Sequence, residues 1–285
     1  STSSLTGQHE VVALDVVCVS SENKFENEFA LVGTSRDGRV VGWRLDTRDA
    51  FPFVTVTERI GGTRTSDPQP RCHSGTTPCV VTGGHDTQRA FALSCVEENY
   101  VSLWWVEKSN GVLSWTFCGR LEPSGLSCTA ITTIAASPTG AAIVLALHDG
   151  WCEVYEAEGS ACGAFALAAR FQVGNKITNQ ECYTKAHLTW FNIGGGAEAV
   201  VVAVGTCLEL RCARRGAWAV LASVDVNDHR VSSTSSNSNT RQLSIGGVQW
   251  SAIGDALVVG MGHELVSFSL AGPNESSMLR LVTHA

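Results

Sequence analysis

A hairpin pattern that recurs five times constrains this chain more than any other feature. An apolar run meets a short polar or glycine turn, and a second apolar run closes on a large residue. The units are Ala30–Trp43, Phe91–Trp104, Ala142–Tyr155, Val200–Leu210 and Ala256–Phe268. Their closing residues Trp43, Trp104, Tyr155, Leu210 and Phe268 stand 61, 51, 55 and 58 positions apart. That interval is a slightly stretched four-strand period, the mark of a β-propeller. The expected fold is therefore all-β: a WD-repeat-like β-propeller of about five recognisable four-strand units, part of a six- or seven-bladed or double propeller.

The turns fit this scheme. Asp37-Gly38 and Asp149-Gly150 are tight-turn dipeptides between apolar runs, and Gly205 and Gly262 hold the corresponding positions in later units. The 285 residues read as one propeller region, with units at about 9–59, 79–122, 127–174, 184–226 and 242–285. Breaker-rich residues 60–78 and residues 227–241 are irregular insertions, the second holding a Ser/Asn tract at 231–240 that cannot contribute to a core. In the first unit Val11–Ser20 leads and Phe53–Val56 is the expected outer strand. At the end, Met278–Val282 suits either an outer strand or a first helical turn.

Composition narrows the function. Net charge is −7 with no basic stripe, which argues against nucleic acid as a partner. The longest apolar run falls far short of a bilayer span, so direct membrane insertion is not expected. The opening Ser-Thr-Ser-Ser lacks an initiator Met and reads as a processed product or an excerpt of something larger. Eleven cysteines are an odd number, and Cys18, Cys95, Cys118, Cys128, Cys152 and Cys207 lie in apolar, strand-like stretches. Reduced thiols packing as small hydrophobes in a cytosolic protein explain them more simply than disulfides.

The candidates for chemistry each meet a plainer reading. Cys72, His73, Cys79 and His85 cluster in sequence, but structural zinc prefers cysteine pairs two to four residues apart, and the Cys72–Cys79 gap is seven. Cys207 and Cys212 differ by five positions, so a regular strand points them to opposite faces. His85-Asp86 and His148-Asp149 are adjacent pairs, whereas a catalytic dyad needs converging side chains. In the second pair the turn accounts for the Asp, and His148 is placed to bridge strands. No phosphate loop, dinucleotide fingerprint or nucleophile elbow occurs. Trp43, Trp104, Trp190 and Trp250 recur at matching places within units and read as blade core, while Trp105, Trp115, Trp151 and Trp218 fall outside that register.

One stretch is more specific. Leu188-Thr189-Trp190, Val202-Ala-Val-Gly205, Trp218–Asp225, Val248-Gln-Trp250 and Leu257-Val-Val-Gly-Met-Gly-His-Glu-Leu265 follow in an order that resembles the end of the second propeller of the DmX-like (rabconnectin) family. That family supplies the large subunit of RAVE, the regulator of the vacuolar ATPase. Leu31–Trp43 and Val101–Trp115 resemble preceding blades, so the similarity spans most of the chain and is sharpest in its last third. The resemblance implies a cytoplasmic scaffold, peripherally associated with endolysosomal or vacuolar membranes. Its partners would be vacuolar ATPase subunits and other RAVE-type subunits, with no catalytic residue, cofactor or metal. A WD-repeat scaffold of a membrane coat or trafficking tether is the rival reading, and a propeller enzyme the third.

Overall fold

The computed structural model describes residues 11–20, 27–35, 40–46, 55–60, 79–81, 89–96, 100–109, 112–124, 131–137, 141–158, 164–173, 186–194, 197–214, 217–226, 244–250, 256–262, 264–271 and 280–284. The regular elements among them are β-strands in five four-stranded antiparallel sheets. The first sheet runs β1 (Val11–Ser20), β2 (Asn27–Ser35), β3 (Val40–Asp46) and β4 (Thr55–Ile60). The second runs β5 (Cys79–Val81), β6 (Arg89–Val96), β7 (Val101–Ser109) and β8 (Val112–Leu121). The third comprises β9 (Ile131–Ala136), β10 (Ala142–Leu147), β11 (Trp151–Ala157) and β12 (Phe165–Gln172). The fourth comprises β13 (His187–Gly194), β14 (Ala197–Val204), β15 (Cys207–Arg214) and β16 (Ala217–Asp225). The fifth comprises β17 (Ile245–Trp250), β18 (Ala256–Met261), β19 (Glu264–Ala271) and β20 (Arg280–His284). In every sheet sequence neighbours pair side by side, the up-and-down order that short hairpin turns dictate.

The chain divides into two compact units. The first holds Ser1–Ile134 with Thr139–Ala141 and Ala157–Ala166; the second holds Ala135–Pro138, Ala142–Glu156 and Leu167–Ala285. The second unit shows how the sequence builds a core. On β14, Ala199, Val201 and Ala203 point to one face and pack with Leu208, Leu210, Trp250, Leu257, Met261 and Phe268 of the fourth and fifth sheets. The alternate residues Val200 and Val202 point the other way and pack with Val144, Ala146, Cys152, Val154 and Phe171 of the third sheet. Both faces of β14 are therefore covered, which is why its sequence is a continuous apolar run rather than an alternation. Each buried aliphatic side chain contributes roughly 1.5–3 kcal/mol. Burial fades outward across a sheet: β10 is buried along its whole length, whereas β12 and β16 are half-exposed.

One strand expectation needed correction. The outer strand of the first sheet is described as Thr55–Ile60, so Ile60 belongs to a strand rather than to the following connection, while Phe53 and Val54 lie outside the described residues. This outer strand carries mixed polar residues (Thr-Val-Thr-Glu-Arg-Ile), so the apolar signal that marks inner strands is weak in it. The chain's end resolves as a strand, Arg280–His284, paired to β19 through Phe268↔Thr283 and Leu270↔Leu281. Among the described residues no helix is long and apolar enough to cross a membrane.

Candidate functional site

The five closing residues share one structural position. Each lies on the third strand of its sheet, opposite an aliphatic residue of the second. The pairs are Trp43↔Leu31, Trp104↔Leu93, Tyr155↔Ile143, Leu210↔Val201 and Phe268↔Leu257. Trp190 and Trp250 do not match Trp43 and Trp104. They sit on the first strands β13 and β17, opposite Val200 and Leu257. Strands of one sheet have similar lengths and patterns, so aromatic spacing alone does not separate a first strand from a third.

Among the described residues three glycines adopt positive φ: Gly150 at 82°, Gly205 at 63° and Gly262 at 59°. All three lie between the second and third strands of their sheets. At the first, Gly150 N–H donates to Leu147 O at 3.1 Å, and Asp149 Oδ1 accepts from Trp151 N–H at 3.2 Å. This combines a tight turn with an Asx-type contact, and His148 stands exposed on it. Asp37, Gly38, Cys72, His73, His85 and the Ser/Asn tract lie outside the described residues; Cys79 begins β5. No group of three or more metal-ligating side chains occurs among the described residues.

Two buried glutamates are tied to neighbouring side chains. Glu153 is 0% exposed; its Oε2 accepts from Tyr155 Oη at 2.7 Å, and Arg170 Nε approaches Oε1 at 3.4 Å. The Arg170 guanidinium also lies 4.5 Å from the Trp151 ring centroid. Glu209 and Arg211, on one face of β15, form a second pair, with Nε and Nη2 at 2.8 and 2.7 Å from Oε2. Arg211 then stacks at 3.9 Å over Phe171 of the third sheet. Nearby, Trp218 donates to Glu156 Oε1 at 3.1 Å and meets the Trp190 ring edge-on, centroids 5.7 Å apart. These contacts couple the third and fourth sheets by geometry as well as by area. They did not appear among the sequence candidates. Their signal was a lone Glu inside an apolar strand, in Trp-Cys-Glu-Val-Tyr and in Cys-Leu-Glu-Leu-Arg.

The cysteines of β15 diverge. Cys212 joins the core facing the fifth sheet, while Cys207 packs toward the third. Burial pushes the Cys152 thiol up to about 12 and also raises Cys207. A thiol so shifted is a poor nucleophile and a poor metal ligand.

Two surfaces stand out against this closed interior. The face of the fifth sheet turned away from the fourth forms an open hollow of about 430 Å³, lined by Gly247, Gln249, Val258, Gly260 and Leu265 among others. Leu265 is 78% exposed there. On the second sheet, Phe117 is 45% exposed beside Arg120 and Tyr100.

No protein-family model matches the chain, and no curated protein matches its sequence. Solved structures do. A chain of a humanized mutant of the Chaetomium thermophilum Polycomb Repressive Complex 2 aligns over 95% of this chain at 13% identity with a TM-score of 0.56. A chain of the Mitotic Checkpoint Complex aligns over 95% at 13% identity, TM-score 0.51, covering 64% of its own length. A putative 6-phosphogluconolactonase from Bacteroides fragilis aligns over 95% at 11% identity, TM-score 0.53, covering 69% of its own length. The fold is a β-propeller. This propeller spans 53% of the Polycomb-complex chain it matches. At such identities the likeness carries the fold and nothing finer.

Proposed function

We propose that this propeller is a non-catalytic scaffold that brings protein partners together. The finer reading is that it belongs to a RAVE-type regulator promoting assembly of the vacuolar ATPase. The observation that carries the scaffold reading is the use made of the interior. The space between sheets in the second unit is filled by aliphatic and aromatic side chains, and Glu153 and Glu209 are held by internal partners. Function then falls to the outer strands and turns, where a rigid framework presents side chains to partners. A scaffold of this kind acts by raising the effective concentration of components that must meet.

Support for the ATPase reading comes from the ordered residues between Leu188 and Leu270 that resemble the DmX-like family. On this reading the partners are vacuolar ATPase subunits and other RAVE-type subunits, and the protein works in the cytoplasm at endolysosomal or vacuolar membranes. The alternative is a WD-repeat scaffold of another large complex, such as a coat or a tether. Its support is that the Polycomb and Mitotic Checkpoint neighbours come from multi-subunit assemblies. Affinity purification of the full-length protein, with the ATPase assembled and dissociated, separates the two. Soluble-sector subunits enriched in the dissociated state support the RAVE reading. Coat or tether proteins in their place overturn it and leave the scaffold.

A further inference from the structure

The second sheet carries a side-chain stack in which Phe117 and Arg120 are exposed and Tyr100 is half-buried. The Arg120 guanidinium carbon lies 4.3 Å from the Tyr100 ring centroid and 5.9 Å from that of Phe117. Phe117 and Arg120 are three residues apart, an odd offset that a regular strand points to opposite faces. The β7–β8 pairing shifts register between Leu103 and Trp104, leaving one extra residue on β8. Phe117 therefore lies opposite Trp104 while Arg120 lies opposite Ser102, and both come to one face.

The floor beneath them is closely packed. Trp104 is buried, its Nε1 donates to Ser102 Oγ at 3.0 Å, and its ring meets Phe117 edge-on at 5.2 Å. Arg120 takes part in no ion pair among the described residues. A guanidinium over an aromatic ring, with no carboxylate partner among the described residues, retains N–H donors whose fork suits a carboxylate. Tyr, Phe and Arg are also the side chains that concentrate binding energy at protein interfaces. Finally, β8 is the edge strand of its sheet, paired to β7 on one side and to no other strand among the described residues, the position from which a sheet can be extended.

The geometry points to a protein-docking edge on β8 that takes an extended acidic segment of a partner. The segment adds as a strand along β8, sets a large apolar side chain on Phe117, and places an Asp or Glu carboxylate on Arg120. This deepens the scaffold reading and rests on it.

The test pans a library of randomised twelve-residue peptides against the full chain. The enriched sequences are then measured by fluorescence anisotropy on the native protein and on the Arg120→Glu, Arg120→Lys and Phe117→Ser variants. The expected consensus pairs an acidic residue with a large apolar one. Its affinity falls at least about tenfold in Arg120→Glu and in Phe117→Ser. Arg120→Lys, which lacks the planar fork, recovers only part of the loss. Unchanged thermal melting of Arg120→Glu shows that the sheet survives. No enrichment, a basic consensus, or binding retained in Arg120→Glu overturns the proposal. So does Arg120-dependent binding to phosphatidylserine vesicles without an acidic consensus. Failure here while ATPase subunits still copurify removes the docking edge alone. An acidic consensus without ATPase subunits keeps the edge and removes the RAVE reading.

Discussion

Phe268 and Leu265 sit on the same strand, three residues apart, and the structure assigns them opposite fates. Phe268 faces the fourth sheet with no exposed surface, while Leu265 is 78% exposed on the opposite face. Truncating Phe268 to Ala withdraws on the order of 150 Å² of apolar surface from the core, worth about 4 kcal/mol. Partial collapse of the resulting cavity brings the expected loss to about 3–5 kcal/mol. Leu265→Ala removes surface that water already covers, so its cost should stay within about 0.5 kcal/mol. Urea unfolding followed by tryptophan fluorescence measures both, provided the slope of the transition is unchanged. The comparison tests register rather than hydrophobicity, because a one-residue slip of β19 against β18 exchanges the two faces. A Leu265→Ala loss equal to or greater than that of Phe268→Ala would refute the assigned pairing Leu257↔Phe268 and the packing built on it.

The other predictions follow from single contacts. Glu153→Ala leaves Tyr155 Oη and Arg170 without their shared acceptor inside the third sheet, and a loss of about 2 kcal/mol or more is expected by denaturant titration; a neutral effect would remove Glu153 from the list of structural groups. Gly205→Ala meets no atom within 4 Å, yet the residue stands at φ 63°, so about 1–2 kcal/mol of backbone strain should appear as a lower Tm. Gly247→Ala also meets no atom within 4 Å and has no positive φ, so it should be neutral or stabilising by up to about 1 kcal/mol. Cys152, held up to about 12 by burial, should resist iodoacetamide at pH 8 in the folded protein and react only on unfolding, as read by peptide mass spectrometry. Its folded pKa exceeds the unfolded value near 9, so its contribution to stability is complete below that pH and declines as pH rises from about 9 toward 12. Rapid native alkylation would contradict the buried placement.

Much of this was legible in the chain, for local reasons. Gly150, Gly205 and Gly262 announced their turns because a two- or three-residue connection between antiparallel strands demands a backbone that glycine supplies. Strands β1, β16 and β17 could be bounded from their apolar runs, and Cys207 and Cys212 could be assigned to opposite faces from parity alone. The outer strand β4 was harder to read: it is half polar, and its pairing to β3 shifts register between Arg44 and Leu45. A register shift of that kind leaves no residue signature, yet it decides which side chains share a face.

The candidate surface shows the same division. Sequence parity separates Phe117 from Arg120, and only the offset pairing of β8 against β7 brings them together beside Tyr100. Likewise Arg211 reads as a charged residue ending an apolar strand, until Phe171, forty positions earlier, is found beneath it. By itself the sequence determined the strand period, the turn positions and the apolar faces, because these depend on neighbours a few residues apart. Tertiary structure alone decided which aromatic residues are covered, which charges find partners and which side chains reach a common surface. Those outcomes depend on contacts between distant segments, and no local pattern encodes them.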